Sequence, residues 1–312
     1  MLAACGGGAA PAPAEEGAPA EAGTPAEEGA PAEAGDTGGA GTTINVGSKD
    51  FIEQFILGNM YALLLEEAGY TVERKLNLGG TDVAQAALES SEIDLYPEYT
   101  GTALLTVLSL PVSSDQEEVF TLVSEGYQEQ FNLTWLEPAP MNNTQALAMT
   151  RERSEELGIT TISDMAAQAS ELVMIGPAEF RERADGLPGL QEAYGNFELQ
   201  EYLAVDPGLR YRALVDGEGD VVVAFGTDGE IAAFDLVLLE DDQNLFPPYQ
   251  VAPVVRAEVL EANPEIVEVL NQLAPLLTDD TMQRLNNEVS GNQREPDEVA
   301  REFLVEQGLI SE

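Results

Sequence analysis

The side chains best placed to hold a ligand are those of residues 99–102, Tyr-Thr-Gly-Thr, which follow closely after Pro97. The apolar run at 93–96 predicts a strand that ends at Pro97, because proline cannot donate a ladder hydrogen bond. Gly101 permits a turn conformation that is closed to other residues. Such a turn places an aromatic face and hydroxyl groups at the carboxyl edge of a sheet, where open α/β sheets bind ligands. The segment contains no nucleophile and no metal cluster, so it predicts binding rather than catalysis.

Composition narrows the possible functions further. The 57 acidic and 13 basic residues give a net charge of −44, which would repel nucleic acid and anionic membranes. We interpret the acidity as a solvated surface suited to an extracytoplasmic or saline setting. Histidine is absent and the single cysteine is Cys5, so the commonest general base is missing and no disulfide can form. No phosphate-binding glycine motif or metal-ligand cluster is present, and we expect no cofactor.

The first 41 residues differ from the rest of the chain. Residues 1–5 end in Leu-Ala-Ala-Cys, the pattern of a bacterial lipobox, which predicts lipidation at Cys5 after removal of a signal peptide. Residues 6–41 consist almost entirely of Ala, Gly, Pro, Glu and Thr, and they predict a disordered linker. No apolar run is long enough to cross a bilayer. The expected membrane attachment is therefore a lipid anchor alone.

Beyond the linker, hydrophobic periodicity predicts alternating strands and helices. The first are a strand at 44–47, a helix at 51–68, a strand at 70–78, a helix at 82–90 and a strand from 93. Asp50 and Glu53 have the spacing of a capping box at the start of the first helix. This order implies a parallel sheet with helices on both faces. We expect further helices at 102–108, 116–131, 162–169, 190–194 and in the C-terminal third.

A second sheet is predicted from the later strands. An unbroken apolar run at 221–225 predicts a buried strand that ends in Gly-Thr-Asp-Gly, which repeats the arrangement after Pro97. Other strands are expected at 172–175, 235–239 and 251–255, the last two separated by Phe-Pro-Pro-Tyr at 246–249. Two α/β lobes, each carrying a strand tipped by an aromatic residue, describe a molecule that closes around a ligand.

Several motifs together resemble a known family. They are Gly-Ser-Lys at 47–49 with Phe-Ile-Glu-Gln at 51–54, Asn-Leu-Gly-Gly-Thr at 77–81, Asp-Leu-Tyr-Pro-Glu-Tyr-Thr-Gly-Thr at 94–102, Asn-Asn-Thr at 142–144, Asp-Gly-Leu-Pro at 185–188 and Leu-Phe-Pro-Pro-Tyr at 245–249. The chain resembles the osmoprotectant-binding proteins of ABC importers, which serve glycine betaine, proline betaine, choline and carnitine. The likeness extends over residues 43–310. It implies an α/β type II periplasmic-binding fold, with two lobes joined by two crossings and the ligand in the cleft.

The resemblance also implies roles for individual residues. Tyr99, Phe225 and Tyr249 would be faces of an aromatic cage, whereas Lys49, Arg183 and Thr102 would hold a ligand carboxylate. Only dispersion and ring quadrupoles can recognise a trimethylammonium group, because it has no hydrogen-bond donors. A carboxylate taken from water needs charge-assisted donors.

Two positions depart from the family pattern, and other assignments have alternatives. Gln145 stands where a tyrosine is common, which removes a ring, and Phe225 keeps a ring but lacks the hydroxyl. Gln54 could contact the ligand or only cap. Lys49 alone would be interpreted as a solvated surface residue, and a local salt bridge is the rival interpretation for Arg183. Tyr96 and Trp135 are interpreted as packing residues.

The predicted organisation is a first lobe of residues 42–142 and 250–312, and a second lobe of residues 143–249. The lobes would move about crossings near 141–144 and 245–249. The predicted function is a monomeric, lipid-anchored extracytoplasmic protein that captures a quaternary-ammonium osmoprotectant for the permease subunits of an ABC importer. The alternative is a sensor or scavenging module of the same fold that binds another small polar or amino-acid-like ligand. An enzyme is a distant third interpretation.

Overall fold

A computed structural model describes residues 41–182 and 186–311. Cys5, the predicted linker up to residue 40 and Arg183 lie outside these ranges, so the roles expected for them stay predictions. None of the helices within these ranges combines the length and the apolar character that crossing a membrane requires.

Within the described residues, ten strands form two sheets of five. The strands are β1 (Thr43–Gly47), β2 (Thr71–Lys75), β3 (Leu95–Tyr99), β4 (Leu133–Trp135), β5 (Gln145–Thr150), β6 (Val173–Gly176), β7 (Glu201–Ala204), β8 (Val221–Phe225), β9 (Leu236–Leu238) and β10 (Val251–Arg256).

Helices cover the sheets and fill the C-terminal part. They are α1 (Ile52–Glu67), α2 (Thr81–Glu89), α3 (Thr100–Thr102), which continues as a π-helical turn at Ala103–Val107, α4 (Gln116–Phe131), α5 (Arg151–Leu157), α6 (Ile162–Gln168), α7 (Leu187–Ala193), α8 (Arg210–Val215), α9 (Gly229–Ala233), α10 (Ala257–Ala262), α11 (Ile266–Asn271), α12 (Asp279–Ser290) and α13 (Pro296–Glu306). Short 3-10 turns lie at Ala169–Glu171, Ala178–Arg181, Pro207–Leu209 and Ala274–Leu276.

The first sheet has the order β2-β1-β3-β10-β4. Its strands β1, β2 and β3 are parallel, as predicted, but β10 runs antiparallel between β3 and β4. The predicted parallel arrangement of the first three strands is confirmed, and a strand from the far end of the chain, which the local order does not reveal, joins them antiparallel. The second sheet, of order β7-β6-β8-β5-β9, repeats this mixed arrangement with β5 antiparallel to its neighbours.

Strand β3 does not end at Pro97, which corrects the prediction from the sequence. The strand continues to Tyr99, and Pro97 lies opposite Pro253 of β10. Neither proline has an N–H, so pairing them at a non-hydrogen-bonded position of the antiparallel ladder sacrifices no bond. Their carbonyl groups point outward, where Pro97 accepts from the Gln54 side chain at 2.7 Å and Pro253 accepts from Leu136 N at 3.0 Å.

Two connections pass between the sheets. One runs from β4 to β5 through residues 136–144, and the other from β9 to β10 through residues 239–250. They include the segments predicted as crossings, while the exact lobe boundaries stay predictions. The connections touch each other, because Asn143 N donates to Tyr249 O at 3.1 Å and Tyr249 N donates to the Asn142 side chain at 2.7 Å.

The hydrophobic core has separate parts on the faces of the two sheets. Tyr96 and Trp135 lie in one part beside the first sheet, which confirms their interpretation as packing residues. Helix α1 is buried along most of its length, since α11, α12 and α13 pack against it from the C-terminal end of the chain. Helix α12 packs against both α1 and α9, so it contacts elements of both lobes.

Candidate ligand-binding site

Lys49 lies in the loop between β1 and α1 and is buried rather than solvated. Its ammonium nitrogen Nζ is 2.6 Å from Oε1 of Glu98 and 3.2 Å from Oγ1 of Thr81, and it lies 5.1 Å from the ring centroid of Tyr99. Glu98 is fully buried and also accepts from Tyr99 N at 2.6 Å and from the Tyr96 hydroxyl at 2.9 Å. The cation expected to meet a ligand carboxylate is therefore already paired within its own lobe.

Gln54 holds the backbone of this loop in place. Its amide oxygen accepts from Lys49 N at 2.9 Å, and its amide nitrogen donates to Pro97 O at 2.7 Å. The side chain is fully buried, and it joins the loop after β1 to the middle of β3. Gln54 therefore fixes the backbone of this loop and does not cap α1, and its contact with a ligand stays a prediction.

Glu53 has a different role from the one that its spacing predicts. Helix α1 begins after Phe51 without a side-chain cap, so the prediction of a capping box formed by Asp50 and Glu53 was wrong. The Glu53 carboxylate instead accepts four hydrogen bonds from distant residues, which we call the Glu53 cluster. Its donors are Tyr99 Oη at 2.7 Å and Asn143 Nδ2 at 2.8 Å, both to Oε1, and Thr227 Oγ1 at 2.6 Å and Asn286 Nδ2 at 2.7 Å, both to Oε2.

Burial controls the proton affinities in this cluster. Burial raises the pKa of Glu53 above its ordinary value, although the hydrogen bonds from Thr227, Asn286 and Tyr99 lower it, and the charge of Asp228 adds to the rise. Burial also raises the pKa of Tyr99 well above its usual range. The tyrosine hydroxyl therefore keeps its proton at neutral pH and can donate it to the carboxylate.

Phe225 ends β8 in the second lobe, and its ring is half-buried. The guanidinium carbon of Arg210 lies 5.8 Å from the ring centroid, and Arg210 is paired with Asp228 at 2.6 Å. Asp228 also accepts from Phe225 N at 2.9 Å, which fixes the turn after the strand. Gln145 is buried and pairs with Phe225 across β5 and β8, so the two side chains lie on one face of the sheet.

Tyr249 and Thr102 lie near the end of β3. Thr102 is half-buried in α3, and Tyr249 packs against Gly101. A Cβ atom at Gly101 would lie 2.8 Å from Pro248 O and 2.9 Å from Cδ1 of Tyr249. The backbone at Gly101 is helical, so the expectation that this glycine supplies a special turn conformation was wrong. Its missing side chain makes room for the connection between the lobes.

The structure therefore joins the predicted site residues through partners that the sequence did not identify. Lys49, Gln54 and Tyr99 meet around Glu98 and Pro97, while Phe225 and Gln145 pair in the other lobe. Glu53 links the two groups through Tyr99 and Thr227. Phe51 was also missed as a site residue; it is 38% exposed and stacks on Tyr99 with 6.1 Å between ring centroids. Phe51, Glu53 and Glu98 all stand inside the motifs that carry the family resemblance, and that position was the available signal.

The described residues contain no group of three or more His, Cys, Asp or Glu side chains arranged to hold a metal ion. A cavity of about 640 Å³ lies elsewhere, between α1, β2 and the start of α13, and Asn59, Arg74 and Asp297 are among its lining residues. It shares no residue with the set described above.

Comparisons with known proteins indicate the family of this chain. Residues 42–306 match the model of a family described as the substrate binding domain of ABC-type glycine betaine transport systems. A glycine-betaine-binding protein of Pseudomonas aeruginosa is 37% identical over an alignment of 279 residues, and the match covers 86% of this chain and 89% of that protein. An ergothioneine transport permease/ergothioneine binding protein of Helicobacter pylori is 35% identical over 265 residues. The match covers 85% of this chain but only 47%, about half, of the Helicobacter protein.

A solved structure confirms the fold. The crystal structure of a glycine betaine/carnitine/choline ABC transporter protein superposes with a TM-score of 0.80 at 29% identity, over 86% of this chain and 100% of that one. The two lobes, the mixed sheets and the match over 42–306 lead to one assignment. The chain belongs to the family of substrate-binding domains of ABC-type glycine betaine transport systems.

Proposed function

We propose that this chain captures a quaternary-ammonium osmoprotectant between its two lobes and delivers it to the permease subunits of an ABC importer. The proposal rests on one observation: the hydroxyl groups of Tyr99 and Thr227 both donate to the Glu53 carboxylate. This contact places an aromatic residue of one lobe beside the strand tip of the other. Family membership supports the ligand class. The role proposed is binding without chemical conversion.

The charges around the rings support a cationic ligand. Lys49 and Arg210 lie near Tyr99 and Phe225, but each is paired with a carboxylate of its own lobe, at 2.6 Å in both cases. Both cations are therefore compensated, and Glu53 at the Tyr99 hydroxyl adds a carboxylate, so a trimethylammonium group does not meet an uncompensated positive charge. Rings of this kind contribute roughly 0.5–2 kcal/mol each to the binding of a cation.

The same pairing affects how a ligand carboxylate is held. A lysine ammonium has three N–H donors, and Glu98 and Thr81 accept two of those of Lys49. One donor is left for a zwitterion such as glycine betaine. The buried Oδ1 atom of Asn143 has no hydrogen-bond partner among the described residues, and it could accept from the hydroxyl group of choline or carnitine. The proposed site therefore accepts both zwitterionic ligands such as glycine betaine and purely cationic ones such as choline, with a preference for ligands that carry a hydroxyl.

Calorimetry with glycine betaine, choline, carnitine and ergothioneine tests the ligand class. Ergothioneine is included because it is also a trimethylammonium carboxylate and the Helicobacter relative is named for it. Phe225→Ala should weaken every true ligand by roughly fivefold or more, since a cation–π face is lost. Phe234→Ala is the matched control, because this phenylalanine lies on the surface of the same lobe with 39% exposure. Equal effects of the two substitutions, or no binding of any quaternary amine, would contradict the proposal.

Uptake distinguishes transport from sensing. We expect a bacterium lacking its own importer to accumulate labelled choline or glycine betaine only when this chain is expressed with its permease. A response in motility or gene expression without uptake would favour the sensor.

The proposed location is outside the cytoplasm, on a lipid anchor at Cys5. If the native precursor carries a full signal sequence, it should place the protein in the membrane fraction, and Cys5→Ser should release it, because two acyl chains suffice for stable attachment. A Cys5→Ser protein that stays wholly in the membrane fraction would contradict the anchor. We also propose a monomer, which sedimentation with and without ligand can test.

A further inference from the structure

The Glu53 carboxylate has no free acceptor position. An ionised carboxylate offers about four lone-pair sites on two oxygens, and Glu53 accepts two hydrogen bonds on each oxygen, all between 2.6 and 2.8 Å. The side chain is 3% exposed. A carboxylate that is saturated in this way cannot accept a further hydrogen bond from a ligand. Its partners therefore indicate a role between parts of the protein.

The four donors come from different parts of the fold. Tyr99 ends β3 in the first lobe, Thr227 lies in the turn between β8 and α9 of the second lobe, Asn143 lies in the connection between them, and Asn286 belongs to α12. Opening of the lobes would separate Thr227 from Glu53. The bond between Thr227 Oγ1 and Glu53 Oε2 therefore exists only while the lobes meet.

Helix α12 adds hydrogen bonds that also require the two lobes to meet. Asn286 Nδ2 donates both to Glu53 Oε2 at 2.7 Å and to Thr227 O at 2.8 Å. Gln283 of the same helix donates to Gly226 O at 2.8 Å, and a Cβ atom at Gly229 would lie 2.4 Å from Asn287 N. If α12 moves with the first lobe on opening, its bonds to the turn after β8 break. If it moves with the second lobe, its bond to Glu53 breaks.

We propose that Glu53 is a positioning residue that couples closure of the lobes to the orientation of the Tyr99 ring. Closure brings the Thr227 hydroxyl to one oxygen of the carboxylate while Tyr99 and Asn143 hold the other. The ring that faces the ligand and the turn of the second lobe are thus fixed by one group. This role depends on the proposed function only in that the ligand is held between the lobes.

The role predicts a specific kinetic effect. A hydrogen bond to a charged group stabilises enough to change an equilibrium roughly ten- to a hundredfold. Loss of the Thr227 hydroxyl should therefore raise the rate of ligand dissociation about tenfold or more. It should leave the association rate within about threefold, because the open state that admits the ligand does not contain this bond.

Four single variants and one double variant test the role by stopped-flow with choline as the probe. Thr227→Val removes the hydroxyl and keeps the shape, whereas Thr227→Ser keeps the hydroxyl and should restore slow dissociation. Thr121→Val is the matched control, because its hydroxyl donates within α4, to Glu117 O at 2.8 Å. In a Glu53→Gln background, Thr227→Val should add less than threefold. Equal dissociation rates for Thr227→Val and the wild type, or full additivity in the double variant, would overturn the proposal.

A measurement without ligand separates this proposal from the ligand assignment. Amide hydrogen exchange in the turn 226–229 of the unliganded protein should accelerate in Thr227→Val and not in Thr227→Ser or Thr121→Val. If choline fails to bind the wild type but this exchange pattern appears, the ligand assignment fails and the role of Glu53 stands. If choline binds and exchange is the same in all four proteins, the role of Glu53 is wrong.

Discussion

Replacing Glu98 by glutamine should show how much the protein depends on its buried ion pair. Glu98 accepts from the Lys49 ammonium, from Tyr99 N and from the Tyr96 hydroxyl. Glutamine has nearly the same shape, and its remaining oxygen can still face Lys49 and Tyr99 N. The Tyr96 hydroxyl can turn to accept from the new amide group. Glu98→Gln therefore removes the charge while leaving the packing nearly unchanged.

The expected cost follows from burial. The side chains of Lys49 and Glu98 are 5% and 0% exposed, so water cannot replace the lost negative charge beside the ammonium. Removing one partner of a buried pair costs about 3–5 kcal/mol, and the retained neutral hydrogen bond recovers part of that. We expect the free energy of unfolding to fall by about 2–4 kcal/mol.

Urea unfolding followed by circular dichroism measures this loss. The matched control is Glu66→Gln, because Glu66 pairs with Arg74 at the surface, with exposed fractions of 36% and 30%. An exposed pair contributes roughly 0–1 kcal/mol, so the control should change little. If Glu98→Gln costs no more than Glu66→Gln, our account of the buried pair is wrong.

The same substitution has a second, independent readout in ligand choice. Once Glu98 is neutral, the Lys49 ammonium has no compensating charge and becomes a better partner for a ligand carboxylate. Glycine betaine should therefore gain affinity relative to choline, by roughly tenfold if one charge-assisted hydrogen bond of about 1.5 kcal/mol strengthens. Calorimetry with both ligands gives this ratio, and an unchanged ratio would show that Lys49 does not reach the ligand.

Three further predictions concern single positions. Gly101→Ala should lower the free energy of unfolding by about 1–3 kcal/mol through overpacking and weaken ligand binding, as measured by urea unfolding and calorimetry. Gly80→Ala is the control and should change little in either assay, because no atom lies within 4 Å of its added carbon. Gln145→Tyr should tighten glycine betaine roughly fivefold and leave choline unchanged or weaker by calorimetry; weaker binding of every quaternary amine would exclude a cage position. Burial raises the pKa of Glu53, so the contribution of this carboxyl group to the free energy of unfolding is complete below the ordinary carboxyl pKa and declines as pH rises through the raised value. The difference in the free energy of unfolding between wild type and Glu53→Gln should therefore shift against the wild type over that range in urea titrations. A pH-independent difference would contradict this.

Local patterns in the sequence identified the regular elements whose burial follows a simple period. The helix expected at 116–131 is α4 with the same bounds, and the strand expected at 221–225 is β8 with the same bounds. Strand β5 was missed, because its sequence Gln-Ala-Leu-Ala-Met-Thr has few β-branched or aromatic residues. The segment forms a strand because it pairs with β8 on one side and β9 on the other. A local sequence pattern contains no information about such pairing.

Pro97 and Gly101 show a different limit. Both were interpreted from intrinsic backbone preferences, as a strand terminator and as a turn residue. In the structure each is explained by a neighbour from far along the chain, Pro253 for the proline and Tyr249 for the glycine. A missing N–H costs no bond at a non-hydrogen-bonded position of the ladder, and a missing side chain is required where another backbone passes. The residue types were informative, but the reason for each was a contact that spacing cannot reveal.

Glu53 shows the same limit of local patterns within the candidate site. Its spacing from Asp50 fits a local cap, yet its four partners lie 46, 90, 174 and 233 residues away along the chain. Burying a carboxylate among such partners has a high desolvation cost, which a local cap would avoid, because a cap lies at the surface. That cost is compensated only when all four donors are in place, and they are in place only when the lobes meet. A carboxylate in this position therefore responds to closure in a way that a ligand-contacting ring alone cannot.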